Sequence, residues 1–252
     1  MKSEDILAAL DLPASTRMDQ RVPKKLLVEN GAPTAADKRR INEGIEAIHW
    51  LAALKSNTIG VPEFRDDIRE YLEIAVLDAE LRPGAPALRL LELIHRAVPY
   101  PVFLICVQGH ELSLSLAHKR WSQGEAGVTI LDGDPVIAVL SAVREAGIRK
   151  AFLNTLSISA QPRSDLYDLY QGWMDSLLAF LAARITGEFG LLIDREKAVA
   201  RHEALRECSR LDAAIVRLRA AASKEKQLPR RVNLNLELKQ MESKLAMEKE
   251  KL

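Results

Sequence analysis

The sequence predicts an α+β protein: a mostly antiparallel sheet of four or five strands covered by helices, followed by a C-terminal antiparallel helical hairpin. Three observations predict it. Pro101-Val102-Phe103-Leu104-Ile105-Cys106-Val107 is an unbroken apolar run rich in β-branched residues, as expected for a strand covered on both faces. After Gln108-Gly109-His110 the segment Glu111-Leu112-Ser113-Leu114-Ser115-Leu116 alternates polar and apolar, which reads as the hairpin partner of that strand with one buried face. Finally, Ala204, Cys208, Leu211, Ile215, Leu218 and Ala222 recur at spacings of 4 and 3, and Leu234, Leu238, Met241, Leu245 and Leu252 repeat the pattern beyond a short basic break. Such spacing draws a narrow apolar seam along each of two helices, and a short break between them folds one back on the other.

The remaining elements follow in order. Ser3 stands where it caps a short helix, Glu4 to Leu10, which Leu12-Pro13 ends. Arg21 to Leu27 reads as extended, because the residue before Pro23 avoids the α region. Thr34 with Asp37 makes a capping pair that opens a helix from Ala35 to about Lys55, with Ile41, Ile45, Ile48 and Leu51 inward. Tyr71 to Leu77 reads as a strand, Pro86 to Ala97 as a short helix, Val128 to Leu131 as a further strand and Val136 to Ala146 as a helix. Ser164 caps a longer helix, Asp165 to Ile185, ended by Gly187 and Gly190. The α–β–α–ββ order fits α+β better than a doubly wound sheet. The organisation is therefore a body over residues 1–160 and a helical region over 161–252 that ends in the hairpin.

Composition excludes several classes. Hydrophobic residues make up 48% and charged residues 28%, ordinary for a globular protein. The longest apolar runs are too short to cross a bilayer, so no membrane partner is expected. The first residues carry acids where a signal peptide has bases. Cys106 and Cys208 both lie in apolar patterns and read as reduced core thiols of a cytoplasmic protein. Charge is unevenly spread: residues 194–252 hold 15 bases against 10 acids, and residues 1–193 hold 21 against 25. Between Arg217 and Arg231 stand six bases and one acid.

No catalytic motif stands out. The five histidines form no HxH or HExxH pair, CxxC is absent, and there is neither a phosphate-binding loop nor a GxGxxG. The reading calls for no cofactor and no metal. The carboxylates worth weighing are Glu70, Glu73, Asp78 and Glu80, on or beside the first strand of the body. A helix followed by a strand bearing acids is the order of restriction-type metal nucleases, in which paired carboxylates hold Mg²⁺ and a lysine positions water. Here Glu73 is followed by Ile74-Ala75 and Glu80 by Leu81-Arg82, and an arginine cannot give up a proton as a lysine can. A nuclease using Glu73 with Glu70 or Glu80 is the alternative reading. Arg21, Lys24, His118 and Lys119 form a second group, read as a surface site. At the hairpin tip Lys224, Lys226, Arg230 and Arg231 fall within eight residues, with Asn233 and Asn235 after them. Bases and amides of this kind contact phosphates or an acidic partner; aromatic residues for base stacking are missing from the tip. The seam residues read as intramolecular core, with self-association between chains as the alternative.

Several stretches together resemble one bacterial family, the domain of unknown function 4391 family. They are Arg21-Val22-Pro23-Lys24; the strand around Leu72-Glu73-Ile74; Ala97 to Leu104; Leu114-Ser115-Leu116-Ala117-His118-Lys119; and the tail from Lys224 to Asn235. The resemblance covers nearly the whole chain, and the tail is its most specific part. Members resembling this chain tend to be encoded beside helicases and DNA methyltransferases, in loci that look like restriction or antiphage defence islands. The resemblance implies an accessory role there, with a helicase or DNA methyltransferase as protein partner; the leading expectation is a non-enzymatic subunit, with the basic tip contacting that partner or nucleic acid. It supplies no catalytic residue.

Overall fold

The computed structural model describes residues 2–125, 127–142, 146–192 and 194–252. The chain divides into two compact units, Met1–Leu177 and Leu178–Leu252, so the division falls later than the 160/161 boundary read from the sequence.

The first unit is α+β. It begins with α1 (Ser3–Leu10), β1 (Arg17–Arg21), α2 (Lys24–Gly31), α3 (Ala35–Gly44) and β2 (Ile45–Lys55). A four-residue turn of helix, α4 (Ser56–Ile59), leads to two short strands, β3 (Phe64–Arg65) and β4 (Glu70–Tyr71), that pair with each other. The centre is β5 (Glu73–Leu81), α5 (Ala87–Ala97), β6 (Val102–Gln108) and β7 (Glu111–Leu116). A second small pair follows, β8 (Lys119–Trp121) with β9 (Thr129–Leu131), then β10 (Val136–Val139), α6 (Ala146–Asn154) and α7 (Leu166–Thr186).

Among the described residues the main sheet has six strands in the order β1-β2-β5-β6-β7-β10. It is mixed and has more strands than the four or five expected, while most of its pairings are antiparallel as expected. All its pairs are antiparallel except β5 with β6. That exception has a simple cause: α5 lies between these two strands in the chain, and a helical crossover returns the second strand in the direction of the first. The tight turn at Gly109, whose φ of 60° suits glycine, makes β6 and β7 an antiparallel hairpin as expected.

One face of the sheet packs against α2, α3 and α5 through Leu27, Ile41, Ile48, Leu77, Leu90, Ile94 and Leu104. Gly31 is required there, since a Cβ would lie 2.6 Å from the Leu93 carbonyl oxygen, and one at Gly44 would press on Leu90 Cδ1 at 2.7 Å. On the other face Phe103 meets Trp173 of α7 edge-on at 5.1 Å between ring centroids. Because both faces are covered, Ser115 is fully buried, although its alternation marked it as solvent-facing.

Three expected segments differ. The helix opened by Thr34 is real, and the Thr34 hydroxyl accepts from the Asp37 backbone N–H at 3.1 Å, but it stops at Gly44. Residues 45–55 form β2, not the continuation of a helix. Register shifts between Ile45 and Ala47, and again between Trp50 and Ala52, insert extra residues into the strand. The buried positions Ile45 and Ile48 therefore stand three apart, and the bulges imitate helical spacing. Arg21 to Leu27 is extended only as far as Pro23, whose φ of −65° and ψ of 131° are still extended; α2 begins at Lys24, and the proline's fixed φ costs nothing there. Val136 to Val139 is a strand paired with β7, Leu140–Ala142 is a short 3₁₀ turn, and residues 143–145 lie outside the described residues. Two caps also differ. Ser3 lies inside α1 and donates to Asp78 Oδ1 at 3.1 Å. Asp165, not Ser164, accepts from the Asp168 N–H at the start of α7.

The second unit holds the rest of α7, then α8 (Arg195–Lys224) and α9 (Leu228–Lys249). Asp194 caps α8 by accepting from the Glu196 and Lys197 N–H groups. Glu225 to Gln227 make the break, and Pro229 sits in the first turn of α9, where a missing N–H does no harm. Cys208, Leu211, Ile215 and Leu245 are buried between α8 and α9, with Leu238, Met241 and Leu252 against them. The hairpin and its seam are as the spacing predicts. Both cysteines are free and buried, and among the described residues no helix is long and apolar enough to cross a membrane.

Candidate functional site

Of the carboxylates of the nuclease alternative, Glu80 stands apart from Glu73, and Glu73 and Glu70 are each engaged by a base. Glu73 opens β5, is 5% exposed, and receives the Lys55 ammonium at 2.9 Å from the facing end of β2. That pair raises the Lys55 pKa above its ordinary value. Glu70 lies on β4 and is engaged by Arg65 of β3. Glu80 is exposed near the far end of β5, seven residues from Glu73 and so about 23 Å along the strand. One ion cannot bridge that separation, and among the described residues no group of three or more His, Cys, Asp and Glu side chains is arranged to hold a metal. Asp78 and Glu80 instead border a cleft of about 580 Å³ with Ser3, Glu4, His110 and Glu111. Burial raises the Asp78 carboxyl pKa, while the Ser3 hydroxyl works against the shift.

The second group separates into two unrelated places, and half of it is not a surface site. Arg21 is exposed at the end of β1. Lys24 begins α2 and donates to the Asn42 carbonyl at 3.4 Å. Arg82 stands in its field, itself paired with Glu46 at 2.5 Å. Burial and then Arg82 lower the Lys24 pKa, with Glu46 opposing and Arg21 adding to the effect.

Lys119, by contrast, is 1% exposed. Its ammonium reaches the carbonyls of His95 and Val98, the latter at 2.7 Å. These carbonyls belong to the last turn of α5 and the residue after it, where orphan oxygens and the negative end of the helix dipole favour a cation. Lys119 is thus a helix C-cap supplied from another strand. Burial, with Arg96 beside it, pushes its pKa down to about 7. His95 is fully buried with Nε2 2.8 Å from Ser115 Oγ, and burial followed by the Lys119 charge lowers its pKa to about 3. The ring is neutral at ordinary pH.

His118 continues this interior. Its Nδ1 lies 2.6 Å from the Tyr71 hydroxyl, and its ring packs against Tyr71, Tyr167 and Tyr170. Tyr170 ties three elements together: its hydroxyl donates to the Val102 carbonyl at 2.8 Å and accepts from the Ala117 N–H at 2.8 Å. Arg69 lies over the Tyr167 ring at 5.5 Å and is held by Asp132 at 2.7 Å. The Leu114-to-Lys119 stretch is explained by this buried network. The lysine after an apolar alternation was its only sequence signal, and it read as the usual exposed strand end.

At the hairpin tip Lys224, Lys226, Arg230, Arg231, Asn233 and Asn235 are all exposed. None of the four cations forms an ion pair among the described residues, whereas lower on the hairpin Arg219 of α8 meets Glu242 of α9 at 2.6 Å. The free charges therefore concentrate where the two helices turn.

These features define a class: an α+β body followed by a helical hairpin whose tip is cationic. The chain belongs to the family described as Domain of unknown function (DUF4391), whose model matches residues 10–245. No curated protein and no solved structure matches it.

Proposed function

We propose that this protein is a non-enzymatic accessory subunit of a prokaryotic DNA-defence or restriction-modification-like system, and that the hairpin is its docking arm. The observation that carries the reading is the tip: four exposed cations, no carboxylate partner among the described residues, at the end of a hairpin whose seam is already filled. A filled seam leaves the tip and the outer faces for recognition. The partner is, on the family resemblance, a helicase or a DNA methyltransferase, with nucleic acid as a second contact through phosphates. The buried free thiols Cys106 and Cys208 fit a cytoplasmic setting. A restriction-type nuclease centred on Glu73 has less behind it, since Glu73 is neutralised by Lys55 and Glu80 stands at the other end of the strand.

The test is an affinity pull-down from the native host, with and without nuclease treatment, compared with the variant Lys226→Glu, Arg230→Glu, Arg231→Glu. A helicase or methyltransferase that survives nuclease and is lost in the variant supports the docking arm. A partner retained in full by the variant removes the tip from the interface. Mg²⁺-dependent cleavage by the purified chain that vanishes in Glu73→Gln would replace the proposal with the nuclease.

A further inference from the structure

We infer that the outward face of α9 receives an acidic amphipathic helix of the partner protein; this rests on the hairpin being a docking arm and specifies what it docks. Leu228, Val232 and Leu236 follow one another at four-residue spacing and are 62%, 48% and 57% exposed, with Met247 farther along at 64%. At about 100° per residue these positions lie on the side of α9 away from Leu238, Met241 and Leu245, which close the hairpin seam. The packing of the hairpin therefore makes no use of them. Single exposed leucines are common, but a run of large apolar side chains at helical spacing is how one helix recognises another.

The same face argues against nucleic acid as its occupant. Phosphates are met by cations and polar hydrogen-bond donors, and Leu228, Val232 and Leu236 would stay in water along a nucleic-acid backbone. Charge then selects among protein partners. From Lys224 to Lys239 the chain has five basic and two acidic residues; at the same 100° per residue Lys239 falls on the stripe between Leu228 and Val232, and Lys224 and Lys226 stand before its first residue. Lys224, Lys226, Arg230, Arg231 and Lys239 make no ion pair among the described residues, in contrast to Arg219 with its Glu242. A helix with apolar residues at three- and four-residue spacing, bordered by Asp and Glu, satisfies the stripe and the cations together. A second copy of this face would set cations against cations.

The experiment places a benzophenone-bearing amino acid at Val232, and in a separate sample at Lys226, in the full chain expressed in its native host. After irradiation the crosslinked segments are sequenced by mass spectrometry. The expected result is that the Val232 probe captures a segment of another protein with an acidic amphipathic helical pattern, and that Leu236→Asp reduces capture at least tenfold with helical circular dichroism unchanged. Capture of nucleic acid, of this same chain, of a basic or non-helical segment, or of nothing at Val232 overturns the inference. If Lys226 still captures a partner in that case, the docking arm stands and only the occupant of the face is wrong. If neither position captures anything, both readings fall.

Discussion

Replacing Lys119 with methionine tests the account of the protein interior. The substitution keeps an unbranched apolar side chain as far as Cε and removes the ammonium. It leaves the His95 and Val98 carbonyls without their donor, a cost that does not depend on pH. The pH-dependent part is separable. In the folded chain the Lys119 pKa is down to about 7 from its ordinary 10.5, so between those values the unfolded state holds one proton more than the folded state. Stability contributed at this site therefore rises with pH across that window, and it is lowest at and below pH 7, where the buried ammonium is charged. The slope is about 1.4 kcal/mol per pH unit for a full proton. From pH 7.5 to 9.5 the wild type should gain about 2–3 kcal/mol over Lys119→Met. Urea unfolding at the two pH values supplies the measurement, read by tryptophan fluorescence, since Trp173 is fully buried and donates to the Leu156 carbonyl at 2.8 Å. His95 titrates well below this window, and the Cys106 thiol, pushed up to about 11 by burial, is common to both chains and cancels in the comparison. Parallel stabilities at pH 7.5 and 9.5 would refute the reasoning: they would mean that the two carbonyls and the helix terminus fully offset burial and that the ammonium keeps its ordinary pKa.

Three further outcomes follow from the geometry. Tyr170→Phe leaves the Ala117 N–H and the Val102 carbonyl without the hydroxyl in a fully buried site; it should lower stability by about 2–4 kcal/mol, and an unchanged urea midpoint would show that the tyrosine is not a bracket. Leu211→Ala opens the hairpin seam at a residue with no exposure, costing about 2–5 kcal/mol, and should speed amide exchange in α8 and α9. Gly172→Ala would place a Cβ 2.5 Å from Gln161 Oε1 and 2.7 Å from Pro162 Cδ; a loss of about 1–3 kcal/mol is expected in thermal or urea unfolding, and full tolerance would mean that the 161–162 loop moves aside freely.

What could be read from the residues, and what could not, divides along a physical line. The hairpin was legible because its seam obeys one periodicity over many turns, and β6 because an apolar β-branched run has few other uses. The strand β2 was hidden because two bulges shift its buried positions into a three-residue spacing, which pattern alone assigns to a helix. The parallel pairing of β5 and β6 was not legible as such, though the helix predicted between the two strands already implied it. At the site level, exposure of the tip followed from charge density in a polar break. The burial of Lys119 did not follow, because a lysine goes inside only when acceptors are waiting, and here they come from the end of α5, more than twenty residues away in sequence. The pairing of Glu73 with Lys55 was hidden for a similar reason: it is set by the ladder between β2 and β5.

Helix α7 starts in one unit and finishes in the next, and this governs how the molecule can be shortened. A chain ending at residue 160 would look like a natural body by its predicted elements, yet it would lack Tyr170 and Trp173. Phe103 would face water, and the hydroxyl that joins Val102 to Ala117 would be gone. Such a fragment should aggregate on expression. A chain ending just past Gly187 keeps the whole helix and its left-handed terminus, while shedding the hairpin. That shortened form is the reagent for asking whether anything binds the body alone.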